Sequence, residues 1–183
     1  MEAAIRWSPH STTDKRRFLV IDVAESSLTL NEANKLERSS IEYRLVATCT
    51  KLPSFTAFGW SPVQEDVVAL GLTSGNACLV KLDNTKKSAE SVIATFKVRH
   101  QRKCNSIGYS TQGWLAVALD RVRATESLNI YDTHSDGTSS REPVRRLCAA
   151  EQVSSVRFFT NQPQEIVAST QRSFIRLYDL RGM

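Results

Sequence analysis

Histidine is scarce in this chain of 183 residues: His10, His100 and His134 are the only three, each in a separate predicted loop. The nucleophile elbow, the phosphate-cradling glycine loop, the zinc-protease helix signature and the dinucleotide glycine pattern are all missing. Seven glycines are few, and none gather into a phosphate-sized loop. The carboxylates Glu25, Asp83, Asp132 and Asp179 fall at predicted strand ends, where such residues complete tight turns. The reading is therefore non-enzymatic, with no cofactor, no metal and no small-molecule substrate expected. Cys49, Cys78, Cys104 and Cys148 form no C-x-x-C pair, which argues against zinc and against a disulfide framework. On predicted strands they serve as small buried hydrophobes. There is no N-x-Ser/Thr sequon, no signal peptide at the start and no apolar run near the ~18 residues a membrane span needs. A reducing cytosolic or nuclear location is expected, with membrane association only through partners. Neither charge sign dominates: 24 Lys and Arg stand against 19 Asp and Glu, net +5, with a pI of about 9.2. Nucleic-acid binding needs a clustered patch rather than such a total, so it is the less favoured reading.

What the chain does have is a repeat. Residues 100–132 hold His100, then Cys104, Ile107 and Tyr109-Ser110, then the apolar run Trp114-Leu115-Ala116-Val117-Ala118-Leu119 with Asp120, and finally Leu128-Asn129-Ile130-Tyr131-Asp132. Alternation at 107/109 and 128/130 around an apolar run reads as three short strands. This is the layout of a WD repeat: a His before the inner strand, an Asp in the second turn, an aromatic-Asp pair closing the third strand. The frame recurs. Trp7, Trp60, Tyr109 and Phe158 hold equivalent places at separations of 53, 49 and 49 residues. Val67-Val68-Ala69-Leu70 and Ile166-Val167-Ala168-Ser169 repeat the apolar run, and Leu79 to Asp83 and Ile175 to Asp179 repeat the third strand. Such a period with three apolar strands marks a propeller blade rather than an irregular sandwich.

The expected fold is all-β: a partial WD-repeat β-propeller of about four blades, each a four-stranded antiparallel meander, the last incomplete. Outer strands are expected at 43–50, 92–98 and 144–148. Blade one then spans about 3–50, blade two about 55–98, blade three about 104–148 and blade four about 153–180 without an outer strand. The whole of 1–183 reads as one partial propeller. A seven-bladed ring at this period needs roughly 330 residues, so either more chain follows or a partner covers the gap. The polar stretches 31–42, 84–91 and 133–143 read as long loops on one face of the disc.

The opposite face carries the loops entering each blade and the turns between second and third strands. On blade three these hold Arg99, His100, Arg102 and Lys103, and Arg121 and Arg123. Convergence of these side chains would make a docking patch for an acidic partner; the alternative is ordinary solvated charge. His100 and Asp120 are expected to be a structural hydrogen-bonded pair that ties the inner strand to the turn.

The run Arg99-His100-Gln101-Arg102-Lys103-Cys104-Asn105-Ser106-Ile107 with Trp114-Leu115-Ala116-Val117-Ala118-Leu119-Asp120-Arg121-Val122-Arg123 resembles the third blade of the Mio (missing oocyte) family. The opening Ile5-Arg6-Trp7-Ser8-Pro9-His10 is similar to that family's start. Tyr109 and Thr111 depart from it, standing where a Trp and a Pro are typical. The resemblance implies a subunit of a SEA/GATOR-type complex that couples amino-acid supply to the TOR kinase at the vacuolar or lysosomal membrane. It also implies a small nucleoporin-type propeller protein among its partners. The helical solenoid and zinc-binding RING-like module of such proteins have no counterpart in these 183 residues, so no zinc ligand is carried over. A generic WD platform from a ubiquitin-ligase adaptor or trafficking coat remains the alternative.

Overall fold

A computed structural model of the chain describes residues 3–12, 16–35, 41–83, 91–123, 125–134, 142–149 and 151–182. It is built of strands in four antiparallel meanders. The first holds β1 (Ala3–Trp7), β2 (Arg16–Asp22), β3 (Ser27–Lys35) and β4 (Ile41–Cys49). The second holds β5 (Phe55–Trp60), β6 (Val67–Leu72), β7 (Ala77–Lys81) and β8 (Val92–Phe96). In the third are β9 (Cys104–Tyr109), β10 (Trp114–Leu119), β11 (Glu126–Asp132) and β12 (Arg145–Ala149). The fourth has three described strands, β13 (Val153–Phe158), β14 (Glu165–Thr170) and β15 (Ile175–Asp179). These are propeller blades in sequence order, the last without a described outer strand.

Burial follows from the stacking. β6 is buried at all six positions because blade two is sandwiched. Val68 and Leu70 pack with Leu19, Ile21, Leu28 and Leu30 of blade one, while Val67 and Ala69 pack with Leu115, Val117 and Leu119 of blade three. On β10 the alternate residues Ala116 and Ala118 turn instead to Val153, Val156, Ile166 and Ala168 of blade four. A strand covered on both sides reads as a continuous apolar run, as a strand at the end of the stack does not. β2 accordingly alternates, with Leu19 and Ile21 inside and Phe18 and Val20 half-exposed.

Blades approach closely at the inner strands. A side chain on Gly71 would run into Cys104 Sγ, so the residue at this crossing has none. The turns between second and third strands are bonded to the loops that enter the blades. Leu52 N donates to Ser26 O at 3.1 Å, Thr73 N to Ser54 O at 3.0 Å, Asp120 N to Lys103 O at 3.0 Å and Gln171 N to Gln152 O at 3.1 Å. Those loops and turns therefore share one face of the array.

One predicted loop is corrected. Residues 31–35 are not loop but the second half of β3, and Asn31, Glu32 and Ala33 are buried. Glu32 is tolerated there because Arg17 Nε and Arg44 Nη2 donate to its carboxylate at 2.9 and 2.7 Å. Arg17 also reaches Glu65 of blade two at 3.1 Å, so the cluster bridges two blades. The two bound guanidiniums, Arg17 foremost, hold the Glu32 carboxyl below the ordinary carboxylate range. Residues 41 and 42 of that predicted loop are likewise strand, the start of β4, while 36–40 and most of the loops at 84–91 and 133–143 lie outside the described residues.

Candidate interaction faces on blade three

Asp120 sits where β10 ends, and its partner is not the expected one. Asp120 Oδ1 accepts a hydrogen bond from Asn105 Nδ2 at 2.8 Å, and the same amide donates to Val153 O of blade four at 3.0 Å. His100 is exposed, and no hydrogen bond joins it to Asp120. The reason is local: Asn105, second residue of β9, places a donor directly beside the turn, while His100 lies four residues before Cys104 on the loop. Asn105 was missed as a fastener, although its register could have shown it. Thr56 stands 49 residues earlier, and its Oγ1 donates to Cys104 O of the next blade at 2.5 Å. The same position in two successive blades thus clasps the first inner-strand carbonyl of the blade that follows.

The basic residues do not form one patch. Arg102 is a fastener. Its Nη1 donates to Thr125 Oγ1 at 2.8 Å, its Nη2 to Glu126 O at 2.6 Å, and its main-chain N–H to Ser74 O at 3.1 Å. Burial lowers the pKa of its guanidinium from the ordinary value. Arg99, His100 and Arg102 line a notch of about 80 Å³ beside blade three, joined there by Lys97 and Arg146, which the sequence did not single out. Lys103 turns the other way, into a wider central cavity of about 500 Å³ between the inner strands. Arg6 and Arg157, from β1 and β13, line that cavity too, and Arg6 lies over the Phe58 ring at 5.5 Å. Arg121 and Arg123 are exposed on the turn after β10, where Arg121 Nε donates to Arg123 O at 3.3 Å.

Among the described residues no group of three His, Cys, Asp or Glu is placed to hold a metal ion. Burial pushes the thiols of Cys78 and Cys104 up to about 12, so both are protonated at neutral pH. They act as core residues. What the geometry offers is surface: basic side chains on rigid loops, and recesses between blades.

The chain is 27% identical over 157 residues to a zebrafish (Danio rerio) protein named GATOR2 complex protein MIOS, a match covering 78% of this chain. It is 29% identical over 150 residues to the MIOS-A protein of Xenopus laevis, covering 73% of this chain. SEH-associated protein 4 of Saccharomyces cerevisiae matches at 33% identity over 88 residues. The chain is thus similar to Mio-type proteins along about three quarters of its length. It spans 18% and 17% of the zebrafish and frog relatives' own lengths. No family model matches. Among solved structures, Raptor of Chaetomium thermophilum superposes with a TM-score of 0.72 at 11% identity, over 99% of this chain and 16% of Raptor. A chain of the Polycomb Repressive Complex 2 of the same fungus follows at 0.71 and 13% identity, over 98% of this chain and 38% of that one. At such identities these structures speak for the propeller fold alone, and they agree with the blades seen in this chain.

Proposed function

We propose that this chain is the propeller part of a non-enzymatic scaffold subunit in a SEA/GATOR-type complex, through which amino-acid supply regulates TOR kinase signalling. The observation that carries the reading is the similarity to named GATOR2 complex proteins along three quarters of the chain. An array of blades whose side chains are spent on packing and clasping, with charged groups left on loop tips, supports it. In this reading the partners are protein subunits, a small nucleoporin-type propeller protein among them. The site of action is the cytoplasmic side of the vacuolar or lysosomal membrane, reached through the complex. Arg99, Arg121 and Arg123, exposed on the blade-three loops, present positive charge to an acidic partner surface, which speeds and orients encounter, while Lys103 offers its charge at the central cavity.

The test is affinity purification of the tagged protein from its own cells, with identification of what co-purifies. Co-purification of the other complex subunits in near-constant ratio is the expected result. Recovery instead of a ubiquitin ligase or a vesicle coat would transfer the chain to another assembly. Recovery of nucleic acid with an affinity falling steeply with salt would replace the reading altogether.

A further inference from the structure

We propose that the notch between blades two and three receives a phosphorylated serine or threonine side chain of a protein partner. This rests on the docking role above and narrows it to one recess and one chemistry. Arg102 and Asn129 are among the residues that line the notch, and Asn129 is only 3% exposed. Tyr131 has one hydroxyl proton and donates it to Lys97 O at 3.1 Å. Toward Asn129 it can therefore only accept, from Nδ2 at 3.2 Å. That fixes the amide and leaves Asn129 Oδ1 buried with no protein donor among the described residues. Arg102 commits both Nη groups within the protein and leaves its Nε–H buried without an acceptor. Unmatched buried polar atoms are rare in folded proteins. Here the unmatched donor and the unmatched acceptor belong to two residues that line the same recess.

The charge around them selects the ligand. Lys97, Arg99, Arg102 and Arg146 supply four positive charges, and Glu126 with Glu142, the latter paired to Arg146 at 2.5 Å, supplies two negative ones. The surplus of two matches a phosphate monoester, which carries about −1.5 to −2 at neutral pH, better than a carboxylate. A notch of about 80 Å³ has room for an oxyanion, since one water needs only about 10–15 Å³ of such space. Asn129 Oδ1 asks for a donor as well, which a bare phosphate dianion lacks and a peptide N–H beside the phosphorylated residue provides.

The experiment titrates N-acetyl-O-phosphoserine N-methylamide into the protein by calorimetry and amide NMR. Inorganic phosphate, the glutamate analogue and anionic vesicles are run in parallel. Saturable 1:1 binding is expected, about ten-fold tighter for the phosphoserine amide than for the glutamate analogue or inorganic phosphate. Lys97→Gln and Arg99→Gln, both exposed and outside the fold's contacts, should each weaken it about five-fold while leaving the melting temperature in place. No saturable binding, equal binding of inorganic phosphate, indifference to both substitutions, or tighter capture by vesicles would each overturn the proposal. Complex assembly is scored separately. Subunits that still co-purify while phosphoserine fails to bind would sink the notch and leave the scaffold reading standing.

Discussion

One amide, that of Asn105, joins three parts of the chain: its own strand, the turn at Asp120 and the first strand of blade four. Asn105→Ala would leave the Asp120 carboxylate and the Val153 carbonyl without that donor. It should cost about 1–3 kcal/mol in denaturant unfolding. His100→Ala removes an exposed ring and should stay within about 0.5 kcal/mol. A double-mutant cycle separates the two assignments: Asn105 and Asp120 should couple, while His100 and Asp120 should be additive. The paired Arg121→Ala and Arg123→Ala change should likewise leave stability within about 1 kcal/mol, since both are exposed, and should slow partner capture in a salt-sensitive way. Glu32 gives a pH signature. Its carboxyl is held below the ordinary range by Arg17 and Arg44, so the unfolded chain takes up its proton first as pH falls. The stabilisation is complete above the ordinary carboxylate range and is lost as pH drops through the lowered folded value. Unfolding measured between neutral and acid pH should show this loss in the wild type and a shallower slope in Glu32→Gln.

At the scale of elements, β6 shows why the blades were legible. Sandwiched between neighbours, it must be apolar on both faces, and that leaves a run rather than an alternation at 67–70 and again at 115–119. The inner-strand aromatics at positions 7, 60, 109 and 158 then fixed the period. The second half of β3 was not legible, because its polarity is paid for by arginines 15 residues before and 12 after Glu32. The divided basic face was hidden for a similar reason. Chain order puts Arg102 and Lys103 side by side, but successive residues entering a strand point to opposite sides, one to the notch and one to the central cavity. Gly71 tests the packing between elements. Gly71→Ala drives a methyl into Cys104 at the crossing of blades two and three and should cost about 1–3 kcal/mol. Adding Cys104→Ala removes the sulfur but not the Cβ, 3.0 Å from the new methyl, so the rescue should be partial. A fully additive cycle would mean that these blades do not touch where the structure places them.

For the whole array, the two end faces decide behaviour in solution. On blade one, Trp7, Phe18 and Tyr43 form an edge-to-face ladder with centroid spacings of 5.4 and 6.0 Å, flanked by exposed Ile5 and Leu45. On blade four, Ile175 and Leu177 stand exposed on β15, whose outer edge pairs with no described strand. Apolar faces and open strand edges of this kind drive association. The 183-residue polypeptide by itself should therefore show a sedimentation mass that rises with concentration. The two ends differ, which makes the geometry of association testable. A head-to-tail contact of blade four on blade one needs both faces, so Tyr43→Thr with Leu45→Lys, or Ile175→Thr with Leu177→Lys, should each abolish it. A contact of blade one on its own copy would be abolished by the first pair and untouched by the second. All four positions are exposed, so stability should change by no more than about 1 kcal/mol in either variant. A mass that stays monomeric at every concentration, with a single cooperative melt, would show that the ends as drawn are not free in solution, and the open array would have to be abandoned.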